Sequence, residues 1–251
     1  MKWNHGKLLF VAAIPVIVAA VPSITFAACD ASGNPLGPPT WDPSVSIPRT
    51  ASIGWGTDIG PGVTISKYVH IGICGQIGLD GKGGSLSAKA SLGDNVIMDN
   101  GSGLSTSAHV GDNAQIHGSQ IGSYADVGEG STITDSTLSS KTTVGAQVML
   151  SNSRTSSSTN IGSNSTVVDS RFSQYAHTGT DANLTGVYFG YKSGIGDTVT
   201  IATGTKVESY AHVDTGVSIV DDVYIGSYAH VCADITTSGM YIASRTSYGC
   251  P

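Results

Sequence analysis

The chain has 251 residues, 12 of them Lys or Arg and 18 Asp or Glu, and its formal net charge is −6. The sequence has no run of basic residues interleaved with aromatics, so nucleic-acid binding is not expected. Charged residues make up only 12% of a sequence with 33 glycines. Such a composition would suit a disordered chain if its aliphatic residues were not so regularly spaced.

Residues 1–27 have the features of a secretory signal peptide. Lys2 and Lys7 form a basic start, an apolar core runs from Leu8 to Ala20, and Ala27 is a small residue at the expected cleavage site. Two prolines interrupt the apolar region, which argues against a retained transmembrane helix. Cleavage after Ala27 removes two lysines and no acid, so the net charge changes from −6 to −8. We therefore expect a secreted or cell-surface protein with no membrane span after cleavage.

The same region allows a second kind of processing. Residues 26–29 read Phe-Ala-Ala-Cys, which resembles a bacterial lipoprotein signal, and Cys29 would then carry a lipid. In that case Cys74 would be left without a disulfide partner. Both interpretations export the folded part of the chain.

Residues 28–50 contain five prolines and are predicted to form an irregular leader. We expect the leader to cap the first turn of the fold that follows, because an exposed strand edge invites association. The leader ends near residue 51, where a regular pattern of aliphatic residues begins.

From Ile53 to Val231 an aliphatic residue recurs every five or six positions. Between Val110 and Ile195 the spacing is six, five, six, a period of 17 residues, and after Ile195 it is strictly six, a period of 18. A short fixed period indicates a repeat architecture. Each unit predicts one strand and one corner, and three units make a triangular turn whose strands pair in parallel with those of the next turn. This β-helix is expected to cover residues 51–236.

Three units carry a family resemblance. The units that begin at Ile59, Ile195 and Ile225 read IGPGVT, IGDTVT and IGSYAH, and they resemble the hexapeptide repeat of left-handed parallel β-helices. The resemblance covers roughly 180 residues and about ten turns of 17–18 residues, and only Thr155 and Thr178 among the repeating anchor positions are not apolar. It implies an all-β, left-handed parallel β-helix, a triangular solenoid. It also implies two enzyme classes, because many members are trimeric acyltransferases and others resemble gamma-class carbonic anhydrases.

Strand alternation predicts which side chains point into the triangular prism. The anchors and the residues four positions after them, such as Val69, Ala125 and Val217, are expected to form the core. A glycine follows the anchor on nearly every turn of one face, as at Gly54 and Gly128. This column predicts a corner whose backbone conformation other residues resist.

Four cysteines in an exported chain favour two disulfides. Cys232 and Cys250 are 18 residues apart, which is one full turn in this region. Equivalent Cα atoms of stacked turns lie about 4.8 Å apart, within the range that a disulfide spans. We therefore expect Cys232–Cys250 to clasp a C-terminal cap, residues 237–251, and Cys29–Cys74 to hold the leader against the first turns.

Two columns of outward side chains are predicted on one side of the triangle. The first has tyrosine in some turns and lysine or serine in others, and the second, two residues further along, is rich in histidine. Together they form the predicted Tyr/His binding face: Tyr68, His70, Tyr124, Asp126, Tyr175, His177, Tyr210, His212, Tyr228 and His230. Exposed aromatics on a rigid, flat sheet suit the binding of partners or glycans. Stacking between turns is the competing explanation for the tyrosines.

No metal ligand, catalytic residue or cofactor is predicted. His212 and His230 lie one turn apart, but two ligands make an incomplete zinc site. The sequence lacks a three-histidine spacing of the carbonic-anhydrase type and a long loop that would enclose a cofactor, and acyl-coenzyme A is a cytosolic donor. Thr198 and Thr200 form a Thr-x-Thr triplet of the ice-binding kind, but other turns of that face do not repeat it.

These observations favour a secreted structural or adhesive protein that presents its Tyr/His face for binding or for self-assembly into extracellular matrix or fibres. A homo-oligomer is expected, either an end-to-end fibre or a trimer, with a surface or glycan ligand as a further partner. Two alternatives stay open. One is an acyltransferase-like or carbonic-anhydrase-like enzyme of the hexapeptide type, and the other is an ice- or glycan-binding solenoid.

Overall fold

The computed structural model describes residues 29–251, and within them the chain folds into short β-strands joined by turns. The predicted signal peptide, residues 1–27, lies outside the described residues. Each strand has two or three residues, because it follows one side of a triangle before the chain turns a corner. Residues 29–251 form no helix with the length and apolarity that a membrane crossing requires.

Three parallel sheets form the sides of the triangle, and successive turns add successive strands to each sheet. Sheet I has 11 strands: Thr40–Trp41, Asp58–Ile59, Gln76–Ile77, Ile97–Asp99, Gln115–His117, Thr132–Thr134, Met149–Ser151, Thr166–Val168, Asn183–Thr185, Thr200–Ile201 and Ser218–Ile219. Sheet II also has 11 strands: Val63–Ile65, Gly84–Leu86, Gly103–Leu104, Gln120–Ile121, Thr137–Leu138, Arg154–Thr155, Arg171–Phe172, Tyr188–Phe189, Lys206–Val207, Tyr224–Ile225 and Tyr241–Ile242.

Sheet III consists of two segments that a single residue joins. The first segment has seven strands: Ser52–Ile53, His70–Ile71, Ser91–Leu92, His109–Val110, Asp126–Val127, Thr143–Val144 and Asn160–Ile161. The second has four strands: Gly194–Ile195, His212–Val213, His230–Val231 and Ser247–Tyr248. His177 forms parallel bridges to both Asn160 and Gly194, so the pairing continues between the segments.

The spacing of the aliphatic residues reappears as the register of the sheets. Thr132 pairs with Met149, 17 residues later, and His212 pairs with His230, 18 residues later. The predicted all-β parallel β-helix is confirmed, because every named strand pairs in parallel with its neighbours in the turns before and after it. It has about 12 turns, more than the predicted number of about ten.

The additional strands lie in the two end segments. Thr40–Trp41, within the predicted leader, pairs with Asp58–Ile59 of sheet I. Within the predicted C-terminal cap, Tyr241–Ile242 extends sheet II and Ser247–Tyr248 extends sheet III. The sheets therefore continue into both segments that carry no aliphatic repeat.

The predicted inward residues form one continuous core. Val69 and Ala125 are each 1% exposed and Val217 is 3% exposed. Phe172 and Phe189 occupy the same place in successive turns, and their rings stack with centroids 4.7 Å apart. The inside of the prism is thus filled by side chains and is not a channel.

The two polar anchors are buried with their hydroxyls hydrogen-bonded. Thr155 Oγ1 lies 2.9 Å from Thr142 Oγ1 and accepts the backbone N–H of Ser139 at 3.1 Å. Thr178 Oγ1 accepts the backbone N–H of Gly162 at 3.0 Å. These contacts remove the cost of burying a hydroxyl.

Buried serines form a hydrogen-bonded ladder that the aliphatic pattern does not reveal. Its members occupy the same inward position in consecutive turns: Ser102, Ser119, Ser136, Ser153 and Ser170. Each Oγ accepts the backbone N–H one turn later at 3.0–3.1 Å. The last four also donate to the carbonyl two residues earlier at 2.7–2.8 Å. The serine ladder therefore hydrogen-bonds each of five consecutive turns to the turn that follows it.

The explanation predicted for the glycine column is wrong. Gly54 and Gly128 do not have positive φ, which occurs instead at other positions, many of them held by non-glycine residues. A Cβ on either glycine would lie 2.5 Å from the carbonyl carbon of the equivalent glycine one turn later. The column is needed because the backbones of successive turns approach too closely to admit a side chain.

Both predicted disulfides are present. Cys232–Cys250 joins Cα atoms 4.9 Å apart, and Cys29–Cys74 joins Cα atoms 5.7 Å apart. All four cysteines of the chain are therefore paired. The alternative in which Cys29 carries a lipid does not describe this structure.

Candidate binding surface

The predicted tyrosine column lies along one corner of the solenoid, between sheets II and III. Its five tyrosines all have φ between 59° and 62°: Tyr68, Tyr124, Tyr175, Tyr210 and Tyr228. Residues other than glycine rarely adopt this left-handed backbone conformation. The equivalent residue nevertheless adopts it in other turns: Lys89, Ser107, Lys141, Ser158, Lys192 and Arg245. The corner therefore imposes the conformation. The tyrosines project from an edge and not, as predicted, from a flat sheet.

Four tyrosines form a continuous row of rings, here called the tyrosine ladder. Tyr191 lies between Tyr175 and Tyr210, with ring centroids 5.7 and 5.6 Å away in edge-to-face geometry. Tyr210 stacks on Tyr228 at 4.7 Å with an interplanar angle of 4°. Tyr191 was missed in the sequence because Lys192 holds the column position in that turn. An aromatic residue directly beside the column was the available signal.

Tyr68 and Tyr124 stand apart from the ladder. They are 60% and 63% exposed, and among residues 29–251 no aromatic ring packs on either of them. Lysine and serine occupy the corner in the turns between them. The predicted face is therefore continuous in aromatic character only at its C-terminal end.

Two cations lie against the tyrosine ladder. Lys192 Nζ is 5.9, 5.3 and 5.6 Å from the ring centroids of Tyr175, Tyr191 and Tyr210. The guanidinium carbon of Arg245 lies 5.7 Å from the centroid of Tyr228. Each such contact contributes about 0.5–1 kcal/mol at an exposed site. The edge of the ladder thus combines aromatic faces with positive charge.

A second row of tyrosines runs beside the ladder on sheet II. Tyr188, Lys206, Tyr224 and Tyr241 are register partners in successive strands. Tyr224 and Tyr241 stack at 5.0 Å. Burial and the nearby Glu208 carboxylate raise the pKa of Tyr224. The last turns therefore present tyrosines both on the corner and on the adjoining sheet.

The predicted histidine column follows the register of sheet III, but only part of it forms a cluster. His70 pairs with serines on both sides, at Ser52 and Ser91, and His109 pairs with Ser91 and Asp126. These residues are strung along the sheet without a second histidine in an adjacent strand. They make no compact site.

The C-terminal histidines lie closer together. The ring of His177 covers Gly194, where a Cβ would overlap it. Burial and the neighbouring His212 lower the pKa of His177, so its neutral form is favoured. His212 and His230 are register partners with ring centroids 5.4 Å apart.

Asp214 completes a three-residue group that sequence reasoning missed. Its Oδ1 lies 2.6 Å from His230 Nε2 and 3.4 Å from His212 Nε2. Asp214 is not part of the histidine column, but it lies two residues after His212 and therefore on the same side of the strand. Another histidine–carboxylate pair, His117 Nδ1 and Asp99 Oδ1 at 2.5 Å, lies on sheet I.

Comparisons with known proteins show distant similarity to solved structures. No protein-family model matches the sequence, and no curated protein is significantly similar to it. The UDP-N-acetylglucosamine acyltransferase of Campylobacter jejuni is 14% identical, with 78% of this chain and 68% of that chain covered and a TM-score of 0.37. The UDP-N-acetylglucosamine O-acyltransferase of Moraxella catarrhalis is 15% identical, with coverages of 73% and 68% and a TM-score of 0.34. Similarity this low carries no activity over to this chain.

Proposed function

We propose that the protein is an exported structural or adhesive rod that associates through the tyrosine ladder, in the first place with a second copy of the chain. The observation that carries the proposal is the ladder itself, four rings spaced 4.7–5.7 Å apart along one edge. Repeated association of such rods would build extracellular fibres or matrix. The predicted signal peptide supplies the export.

Tyrosine suits a contact of this kind. Its ring buries apolar area, its hydroxyl forms hydrogen bonds, and few rotamers are lost when it is held. Tyr175, Tyr210 and Tyr228 are 44%, 41% and 54% exposed, so much of each ring is open after the rings have packed together. Stacking between turns therefore accounts for only part of the ladder's surface.

The scaffold holds the ladder in place before any partner arrives. The backbone N–H of Tyr210 donates to the carbonyl of Tyr191 at 2.9 Å, and that of Tyr228 donates to the carbonyl of Ser209 at 3.0 Å. The disulfide Cys232–Cys250 closes the turn that follows. A preorganised surface loses little conformational freedom on association.

Replacing Tyr210 and Tyr228 with Ala tests the proposal on the secreted protein. The double variant should lose self-association in sedimentation velocity and form no fibres in electron micrographs, because the stacked centre of the ladder is gone. Its circular dichroism spectrum should match that of the wild type, since both side chains are outside the core.

The matched control replaces Tyr68 and Tyr124 with Ala. This variant also loses two tyrosine side chains from the same corner, but both lie outside the ladder. It should therefore assemble as the wild type does. Normal assembly of the Tyr210→Ala/Tyr228→Ala variant would reject the ladder as the contact. If the wild type is monomeric and binds glycans or ice through the ladder, self-assembly is rejected and the binding function is supported.

A further inference from the structure

We propose that His212, Asp214 and His230 form a binding site for a divalent transition-metal ion such as Zn²⁺. The three side chains offer two imidazole nitrogens and one carboxylate oxygen, all within 4.8 Å of one another. The site does not depend on the tyrosine ladder or on self-assembly. It is formed within one chain.

The backbone brings the three residues together without any special loop. His212 and Asp214 are two residues apart on one strand and its extension, so both side chains point outward. His230 is the register partner of His212 in the next turn. The backbone N–H of Asp214 donates to the carbonyl of Val231 at 2.8 Å. This bond holds Asp214, which directly follows the strand, against the next turn.

The donor atoms are already close to the spacing that zinc requires. Bonds of about 2.0–2.1 Å in a tetrahedral site separate neighbouring ligand atoms by about 3.3 Å. His212 Nε2 and Asp214 Oδ1 are 3.4 Å apart. His230 Nε2, at 2.6 Å from the same oxygen, has to withdraw by less than about 1 Å to admit the ion. That oxygen now accepts a hydrogen bond from the imidazole, and the metal would take the place of the shared proton.

The ligand set selects a class of metal. Imidazole nitrogen with one carboxylate suits zinc, copper, nickel and related ions, whereas calcium and magnesium take oxygen ligands almost throughout. The side chains of His212, Asp214 and His230 are 46%, 41% and 44% exposed. Solvent therefore reaches the ion and fills its remaining coordination positions with water.

The test is a calorimetric titration of the secreted, untagged protein with Zn²⁺, with Mg²⁺ as the second probe. We expect one Zn²⁺ per chain and no competition from Mg²⁺. His230→Ala and Asp214→Asn should each weaken binding at least about tenfold, because loss of an outer partner of a metal ligand alone costs 10–100-fold. His117→Ala is the matched control, since it breaks a histidine–carboxylate pair that lacks a second histidine, and should bind as the wild type does.

The titration has to be made without reductant. Cys232, Cys250 and His230 also lie within 4.8 Å of one another, and reduction of the disulfide would create a competing thiolate site that shares His230. Visible absorption of the Co²⁺-substituted protein distinguishes nitrogen and oxygen ligands from thiolates. Equal Zn²⁺ affinity in the wild type and in both variants would overturn the proposal, as would a thiolate spectrum from the oxidised protein.

Discussion

Gly128 shows how little room the solenoid leaves between its turns. A Cβ on this residue would lie 2.5 Å from the carbonyl carbon of Gly145. The obstacle is backbone and not the end of a flexible side chain, and the Gly128 N–H itself donates to the carbonyl of Val144 at 2.8 Å. Relief of the overlap therefore has to stretch hydrogen bonds between turns.

Gly128→Ala should lower the free energy of unfolding by about 1–3 kcal/mol, the cost typical of overpacking. Urea denaturation followed by circular dichroism measures the change. Gly37→Ala is the control, because a Cβ there meets nothing within 4 Å. Equal stability of the two variants would contradict the explanation of the glycine column by close approach.

At the scale of the strands, the serine ladder carries a second set of contacts between turns. Ser136 Oγ accepts the N–H of Ser153 at 3.1 Å and donates to the carbonyl of Thr134 at 2.7 Å. Both serines are buried, so water cannot replace the acceptor. The ladder links the corners of successive turns in the way that the sheets link their sides.

Ser136→Ala should lower the free energy of unfolding by about 1–3 kcal/mol, because it leaves a buried N–H without its acceptor. Ser140→Ala changes an exposed serine of the next corner and should stay within about 0.5 kcal/mol of the wild type. Chemical denaturation of both variants provides the comparison. A Ser136→Ala variant as stable as Ser140→Ala would mean that the ladder contributes nothing.

How far the sequence predicts these elements depends on whether a residue belongs to the repeat. The period alone is enough for the sheets, their register and the Cys232–Cys250 pair, because each follows from stacking equivalent positions. Tyr191 and Asp214 lie beside the repeating columns, and their contacts depend on where the side chains turn. The cause of the glycine column depends on the distance between backbones, which spacing along the chain does not contain.

At the scale of the whole molecule, the protein is a rod stabilised by contacts between neighbouring turns. About 12 turns at about 4.8 Å each give a length of about 55–60 Å. In a solenoid each turn contacts only its neighbours, so unfolding begins readily at the ends. The two disulfides lie near opposite ends and each ties an end segment to the turns beside it.

Replacing Cys29 and Cys74 with Ser should destabilise the protein by about 3–4 kcal/mol, from the entropy of the 45-residue loop that the bond closes. Hydrogen exchange should rise first at Thr40–Trp41 and its partner strand, because they belong to the released end. The Cys232→Ser/Cys250→Ser variant should show faster exchange at the other end. Uniform acceleration along the whole chain in both variants would argue against loosening from the ends.

The left-handed backbone position at the corner between sheets II and III has a consequence for the evolution of this surface. Tyrosine, lysine, serine and arginine all occupy it with the same backbone conformation, so the fold places little demand on the residue found there. Substitutions at this position alter what the rod displays while the core and the sheets stay as they are. The corner therefore displays one side chain about every 4.8 Å along the rod, and each of these side chains can be substituted independently of the others.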